Sequence, residues 1–118
     1  MEGYESIFIF DPNLSEEEQQ GTLARFKDTL EGQGGKLVHQ VTWGRRKLAY
    51  PVKKREYGVY HLLYTDRTPE AIKALENQYR FDENVIKWMT VAVEDVDAEV
   101  EKFERLKTQG SVYQVKQE

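Results

Sequence analysis

The sequence predicts an α+β fold in which two helices cover one face of a four-stranded antiparallel sheet. Runs rich in β-branched and aromatic residues alternate with two runs of helical periodicity, in the order β-α-β-β-α-β. The chain has 118 residues, 39% of them apolar, which suits a single domain with one core. Each half of the chain has the same order of strand, helix and strand, which is typical of a split βαβ arrangement.

The first strand and helix are predicted by turn and capping residues. Residues 4–10 are aromatic and β-branched, and an Asp-Pro-Asn turn follows them. Ser15 supplies an N-cap oxygen, and Glu18 three residues later completes a capping box. Apolar residues then recur at helical spacing until Gly34-Gly35 stops the pattern, so we expect the first helix to run to about Gln33.

Two extended segments, residues 37–52 and 58–65, predict an antiparallel hairpin. The charged turn between them makes its protruding tip basic. Gly44 interrupts the alternation of the first segment, and because glycine weakens a strand we expect a β-bulge or kink there that re-aims the basic residues after it. Pro51 has no ladder donor, which places this strand at an edge or at its end, and packing best explains residues 48–51.

The second half predicts another helix and a last strand. Thr68 and Pro69 open a helical pattern that ends near Arg80. Residues 85–93 are apolar at positions of both parities, which favours a central strand covered on both faces. Every strand places large side chains on both parities, and two helices cover only one set. We therefore expect an open, aromatic-rich second face that serves a partner.

The last part of the chain changes in character, so we divide it into a domain, residues 1–94, and an acidic C-terminal extension, residues 95–118, that is partly helical or frayed. One apolar stripe at helical spacing consists of Val96, Val100, Phe103 and Leu106 or Lys107, and Gly110 ends the pattern. Four strands and two helices are already encoded before this extension. We therefore predict that the extension is dispensable for folding.

Charge is segregated along the chain. The net charge of −4 taken alone argues against a nucleic-acid partner, but residues 45–55 contain six cations and no acid, which leaves −10 for the remainder. The cations are Arg45, Arg46, Lys47, Lys53, Lys54 and Arg55. A solvated basic hairpin is one reading of this run. A local phosphate-binding surface on an otherwise acidic protein is the other.

The sequence offers little for catalysis or cofactor binding. It has no cysteine, and its two histidines, His39 and His61, lack acidic ligands at metal spacing, so we interpret both as solvated or half-buried strand residues. It contains no glycine-rich phosphate loop and no nucleophile motif. No apolar run approaches the roughly 20 residues that span a bilayer. These features predict a cytoplasmic protein that is not an enzyme and binds no cofactor, metal, membrane or small-molecule substrate.

The predicted order of elements is shared by the RNA-recognition motif, whose third strand carries base-stacking aromatics. Residues 55–62 fall in the corresponding strand and match that motif in part, because valine and leucine stand where stacking aromatics are wanted. A free-standing binder of single-stranded RNA therefore stays an alternative. A small-molecule-sensing or enzymatic domain of the same topology is a third hypothesis.

A longer string resembles another family. Residues 43–54, WGRRKLAYPVKK, are similar to the signature of the bacterial ribosomal S-six family, and the similarity extends over residues 4 to about 93. The resemblance implies a ferredoxin-like βαββαβ sandwich, binding to the central domain of small-subunit (16S) ribosomal RNA, and a heterodimer with the ribosomal S-eighteen protein. It implies neither catalysis nor a cofactor. The sequence departs from the family pattern at Lys87, where arginine is frequent.

Resemblance and charge together predict the contact residues. The predicted RNA-binding residues are Arg45, Arg46, Lys47, Lys53, Lys54 and Arg55, because arginines fork onto phosphates and lysines supply point charges. For each of them the alternative is an exposed strand residue that blocks edge aggregation, or a contact with the partner protein. Further candidates for contact with RNA or the partner are Tyr4, Tyr50, Tyr60, Arg80 and Lys87.

Overall fold

The computed structural model describes the backbone of residues 1–109 and the side chains of residues 1–105. Seven elements follow one another: β1 (Gly3–Phe10), α1 (Glu16–Gly32), β2 (Leu37–Val52), β3 (Arg55–Asp66), α2 (Pro69–Phe81), β4 (Val85–Val93) and α3 (Val96–Gln109). The predicted order of strands and helices is confirmed. Of the two alternatives for the C-terminal extension, a helix or a frayed tail, the structure shows a helix, and the end expected at Gly110 lies outside the described residues.

The four strands form one antiparallel sheet in the order β2-β3-β1-β4. The expectation that residues 85–93 form a central strand is therefore wrong, because β4 pairs with β1 and lies at an edge. Apolar residues occur at both parities because the first two residues of β4 are buried on opposite faces of the sheet. Val85 is buried towards the helices and Ile86 towards the other face, and the rest of the strand is largely exposed.

Helices α1 and α2 cover one face of the sheet, which we call the helix side. The predicted capping box is present: the Ser15 hydroxyl accepts from the Glu18 N–H at 3.1 Å, and the Glu18 carboxylate accepts from the Ser15 N–H at 3.0 Å. Phe8 and Phe10 from β1 meet Phe26 from α1 in edge and tilted ring contacts. All three rings are fully buried, so this layer forms the main core.

The opposite face of the sheet, which we call the open side, is only partly covered. Helix α3 packs one end of it: Val96 is fully buried, and the Phe103 ring stacks on Trp43 with centroids 5.6 Å apart. Leu62 and Tyr64 from β3 belong to the same cluster. The expectation of an open second face is therefore corrected for one end of the sheet, which the apolar stripe of the extension covers.

Strand β2 leaves its regular pairing at two places that shape the hairpin. Gly44 has φ +87°, and the register with β3 shifts between Thr42 and Gly44, so the predicted bulge is confirmed. A second register shift lies between Lys47 and Val52. Their partners in β3, Tyr57 and Arg55, are two residues apart, whereas Lys47 and Val52 are five residues apart. The extra residues arch out of the ladder and bring this part of β2 across the open side.

Candidate RNA and partner interface

The hairpin tip is a two-residue turn made of two lysines. Lys53 and Lys54, between the paired residues Val52 and Arg55, have φ values of 49° and 66° and are exposed. Positive φ at both central positions is the geometry for which Asn-Gly is favoured, and left-handed backbone costs an ordinary residue roughly 1–2 kcal/mol. The tip therefore presents two ammonium groups at a position where lysine is conformationally unfavourable.

The basic residues before the tip alternate between the two sides of the hairpin. Arg45 pairs with Val59, a residue of the helix-side core, so Arg45 and Lys47 project on the helix side. Tyr57, which pairs with Lys47, lies on the same side. Leu48 packs with Ile9 on the open side. The predicted cation cluster is thus brought together in the hairpin, but not on a single face.

Two of the six predicted cations are engaged within the protein. The Arg55 guanidinium forms an ion pair with the Asp11 carboxylate at 3.0 Å. A hydrogen bond from the Asn13 N–H, and then Arg55, lower the pKa of Asp11. Arg46 is half-buried and donates to the Arg45 carbonyl oxygen at 2.9 Å. Arg45, Lys47 and the two tip lysines are exposed, and these four are the cations best placed to meet a ligand.

An apolar cavity of about 250 Å³ lies on the open side, where β2 arches over the sheet. Its apolar walls come from all four strands and include Ile7, Ile9, Leu48, Tyr60 and Met89. Met89 is 56% exposed at the rim. Lys87 is the single charged residue among those that line the cavity in the described part of the chain. The cavity therefore suits an apolar side chain whose neighbour carries a negative charge.

Tyr50 and Lys87 close one side of this cavity from opposite edges of the sheet. The Lys87 ammonium donates a hydrogen bond to the Tyr50 hydroxyl at 2.8 Å and lies 4.9 Å from the centre of its ring. This bond lowers the pKa of Tyr50, because it favours the phenolate. Tyr50 is nevertheless 60% exposed. The expectation that residues 48–51 are explained by packing therefore holds for Leu48 and is wrong for residues 49–51, which are exposed.

The predicted contact candidates separate into two groups. Tyr50, Tyr60 and Lys87 meet at the open-side cavity. Tyr4 packs against the helix-side core and lies under Arg67, while Arg80 is an exposed residue of α2 whose guanidinium lies 6.0 Å from the Trp88 ring. The structure thus supports a shared surface for the first group and places Tyr4 and Arg80 away from it.

His61 is fully buried, so its interpretation as a solvated or half-buried residue is wrong, whereas His39 is half-buried. The His61 ring stacks on Phe8, its Nδ1 lies 3.2 Å from the Thr42 hydroxyl, and its Nε2 lies 3.1 Å from the Gln19 amide oxygen. The carbonyl can only accept, so Nε2 donates and Nδ1 accepts from Thr42. Burial lowers the pKa of His61 to about 4, which keeps the ring neutral.

The described residues contain no group of three or more histidine, cysteine or acidic side chains placed to hold a metal ion. Across the same part of the chain, no helix combines the length and the apolarity needed to cross a membrane. The central strands β1 and β3 direct Ile7, Ile9 and Leu62 to the open side, and α3 packs over Leu62 and Tyr64. Tyr60 is the aromatic residue that β3 places beside Ile9 on this side, and it is half-buried in the wall of the cavity.

Two residues of this region were missed from the sequence. Tyr57 is 40% exposed beside Arg45, and Met89 forms part of the cavity rim. The sequence gives no local signal for the position of Tyr57, because regular pairing from a two-residue turn would set it opposite Tyr50, and only the register shift between Lys47 and Val52 brings it to the side of Arg45 and Lys47. No local signal identifies Met89, since its surroundings depend on the arch of a distant strand.

Comparisons with known proteins agree with this architecture. The family described as ribosomal protein S6 matches residues 3–92. The small ribosomal subunit protein bS6 of Caldanaerobacter subterraneus subsp. tengcongensis is 35% identical over 95 residues, which cover 80% of this chain and 100% of that protein. The bS6 protein of Parabacteroides distasonis is 37% identical over 99 residues, 84% of each chain.

A solved structure shows the same fold. The crystal structure of 30S ribosomal protein S6 from Thermotoga maritima superposes with a TM-score of 0.75 at 34% identity, covering 86% of this chain and 96% of that one. The ferredoxin-like arrangement expected from the sequence is thereby confirmed. The chain belongs to the ribosomal protein S6 family, and it is accordingly a structural, non-enzymatic component of the small subunit of the cytoplasmic ribosome.

Proposed function

We propose that this protein binds the central domain of small-subunit (16S) ribosomal RNA through its basic hairpin and docks the ribosomal S-eighteen protein on its open side. The observation that carries the proposal is the separation of charge. A chain of net charge −4 concentrates six cations in one protruding hairpin. Since the remainder of the protein repels phosphate, recognition of RNA has to be local.

The tip supports the RNA half of this proposal. Two lysines occupy left-handed positions that asparagine and glycine would fill more favourably. Sequences that retain unfavourable backbone conformations commonly do so at functional positions. Lys53 and Lys54 are exposed, and neither forms an ion pair with another described residue. Both ammonium groups can therefore neutralise phosphates.

The RNA half is tested by removing charge without touching the core. Lys53→Gln combined with Lys54→Gln should weaken binding to a fragment of the rRNA central domain, measured at several salt concentrations with the S-eighteen protein present. The salt slope should fall by about one for each phosphate that the variant no longer neutralises. A matched control is Lys27→Gln with Lys73→Gln, which removes equal charge from exposed positions on α1 and α2. If both pairs lower affinity and slope equally, the hairpin has no special role.

The two arginines that follow the bulge give a second test. Arg45→Ala with Arg46→Ala should also lower RNA affinity and flatten the salt dependence. Exposed substitutions usually change stability by within about 0.5 kcal/mol, so Arg45 should contribute little to the melting temperature. Arg46 is half-buried and hydrogen-bonded, so any loss of stability in the double variant should come from Arg46. The single variants separate the two contributions. Unchanged affinity and slope would remove this pair from the RNA interface.

The cavity supports the partner half. It is apolar and open at a rim where Met89 is exposed, which is the usual character of a site that receives an apolar side chain of another protein. Met89→Asp should therefore weaken the heterodimer with the S-eighteen protein and leave the salt slope of RNA binding unchanged. Val91→Asp on the same strand is the matched control, because Val91 is 41% exposed and does not line the cavity. Equal loss for both variants, or no loss for either, would show that the cavity has no special role in holding the partner.

A further inference from the structure

Arg45 and Tyr57 form an exposed pair on the helix side of the hairpin. The Arg45 guanidinium lies 4.8 Å from the centre of the Tyr57 ring. Arg45 is exposed and Tyr57 is 40% exposed. Tyr57 belongs to none of the hydrophobic clusters formed by the described residues. The ring is therefore held at the surface by a cation and not by burial in the core.

The surroundings of the pair are cationic. Lys47 pairs directly with Tyr57 across the strands and shares its side. Asp11 also reaches the hairpin, but its carboxylate is already bound to Arg55 at 3.0 Å. Strand alternation turns Glu56 to the opposite side. A ligand that approaches Tyr57 from the helix side thus meets one aromatic ring, one guanidinium plane and one ammonium group.

This combination matches an unpaired nucleotide. Aromatic rings and guanidinium planes both stack on bases, and a neighbouring lysine neutralises the adjoining phosphate. We infer that the Arg45 and Tyr57 side chains form a stacking site for one unpaired base of the bound RNA, with Lys47 on its phosphate. The inference rests on the proposed RNA-binding function and adds a requirement to it: the RNA has to present an unstacked base to the helix side of the hairpin.

The site can be tested with the full chain, the S-eighteen protein and a fragment of the rRNA central domain. Tyr57→Leu removes the ring and keeps the charge, so affinity should fall about 5- to 100-fold while the salt slope stays the same, because base stacking on a ring is removed and no counterion effect changes. Tyr57→Phe should bind like the wild type. Phe81→Leu is the matched control, since Phe81 at the end of α2 is also an exposed ring, 76% exposed, and belongs to none of the hydrophobic clusters of the described residues.

The outcomes separate this inference from the proposed function. Wild-type affinity of Tyr57→Leu at an unchanged melting temperature would overturn the stacking site, while loss of affinity in the tip-lysine variant would still uphold RNA binding by the hairpin. A lower melting temperature without loss of affinity would likewise overturn it, because the pair would only stabilise the hairpin. Weaker heterodimer formation with unchanged RNA affinity would assign the pair to the protein partner and also overturn it.

Discussion

The two faces of the sheet differ in how completely they are covered. On the helix side, α1 and α2 cover fully buried rings such as Phe8 and Phe26, and the polar groups among them, including Ser6 and Tyr79 at 2.8 Å, bond to one another. On the open side, α3 covers one end and an apolar cavity is left at the other. One face therefore supplies stability, whereas the other leaves apolar surface available to a partner.

The largest expected effect lies on the helix side. Phe26→Ala should lower the free energy of unfolding by about 3–5 kcal/mol, because it opens a cavity among rings that cannot close over it. Urea unfolding of this variant can be compared with Met89→Ala on the open side, which should change stability by roughly 0.5 kcal/mol or less because Met89 is more than half exposed. Similar losses in the free energy of unfolding for the two variants would show that the helix side does not contribute more to stability than the open side.

The C-terminal extension tests how far the open side contributes to folding. A chain that ends at Glu94 should still unfold cooperatively, as the sequence predicts. It should lose roughly 2–4 kcal/mol, because Val96 and Phe103 are no longer buried against the sheet. Thermal unfolding followed by circular dichroism checks this. Loss of a cooperative transition would make α3 a part of the folding unit, and the boundary at Glu94 would then be misplaced.

His61 should make the helix side sensitive to acid. Its pKa is about 4 in the folded protein and near 6.5 when exposed, so the unfolded state binds the proton first as the pH falls. The contribution of neutral His61 to the free energy of unfolding should be fully present above pH 6.5. It should be lost as the pH falls towards 4, by at most about 3 kcal/mol. Denaturant unfolding across this range measures the slope. His61→Gln should flatten it, and an equal slope in that variant would exclude His61 as the cause.

The smallest expected effect is a gain at the hairpin tip. Lys53→Asn with Lys54→Gly should raise the free energy of unfolding by about 1–2 kcal/mol, because these residues favour the left-handed turn. The same variant should bind RNA more weakly. The double glutamine variant of the tip keeps the unfavourable backbone and removes the charge, so it should weaken binding without the gain. If the asparagine-glycine variant is no more stable, the tip is not conformationally unfavourable.

Local signals were sufficient for most of the fold. The capping box at Ser15, the glycine stop after α1 and the proline at the start of α2 mark the helices, because each acts within one turn of chain. Gly44 likewise predicted the bulge. The position of β4 could not be predicted in this way, since residues 85–93 carry apolar side chains of both parities at either an edge or a central position.

The candidate interface likewise has some features that the sequence determines and others that depend on tertiary packing. The sequence alone determined that the cations are segregated in residues 45–55, because the position of each charge along the chain can be read without coordinates. Only the tertiary structure decided which of them are engaged: Arg55 meets Asp11, a residue 44 positions away. It also decided that Tyr50 reaches Lys87 across the sheet. Such contacts depend on strand order and on a register shift, which arise from packing of the whole chain and leave no local pattern.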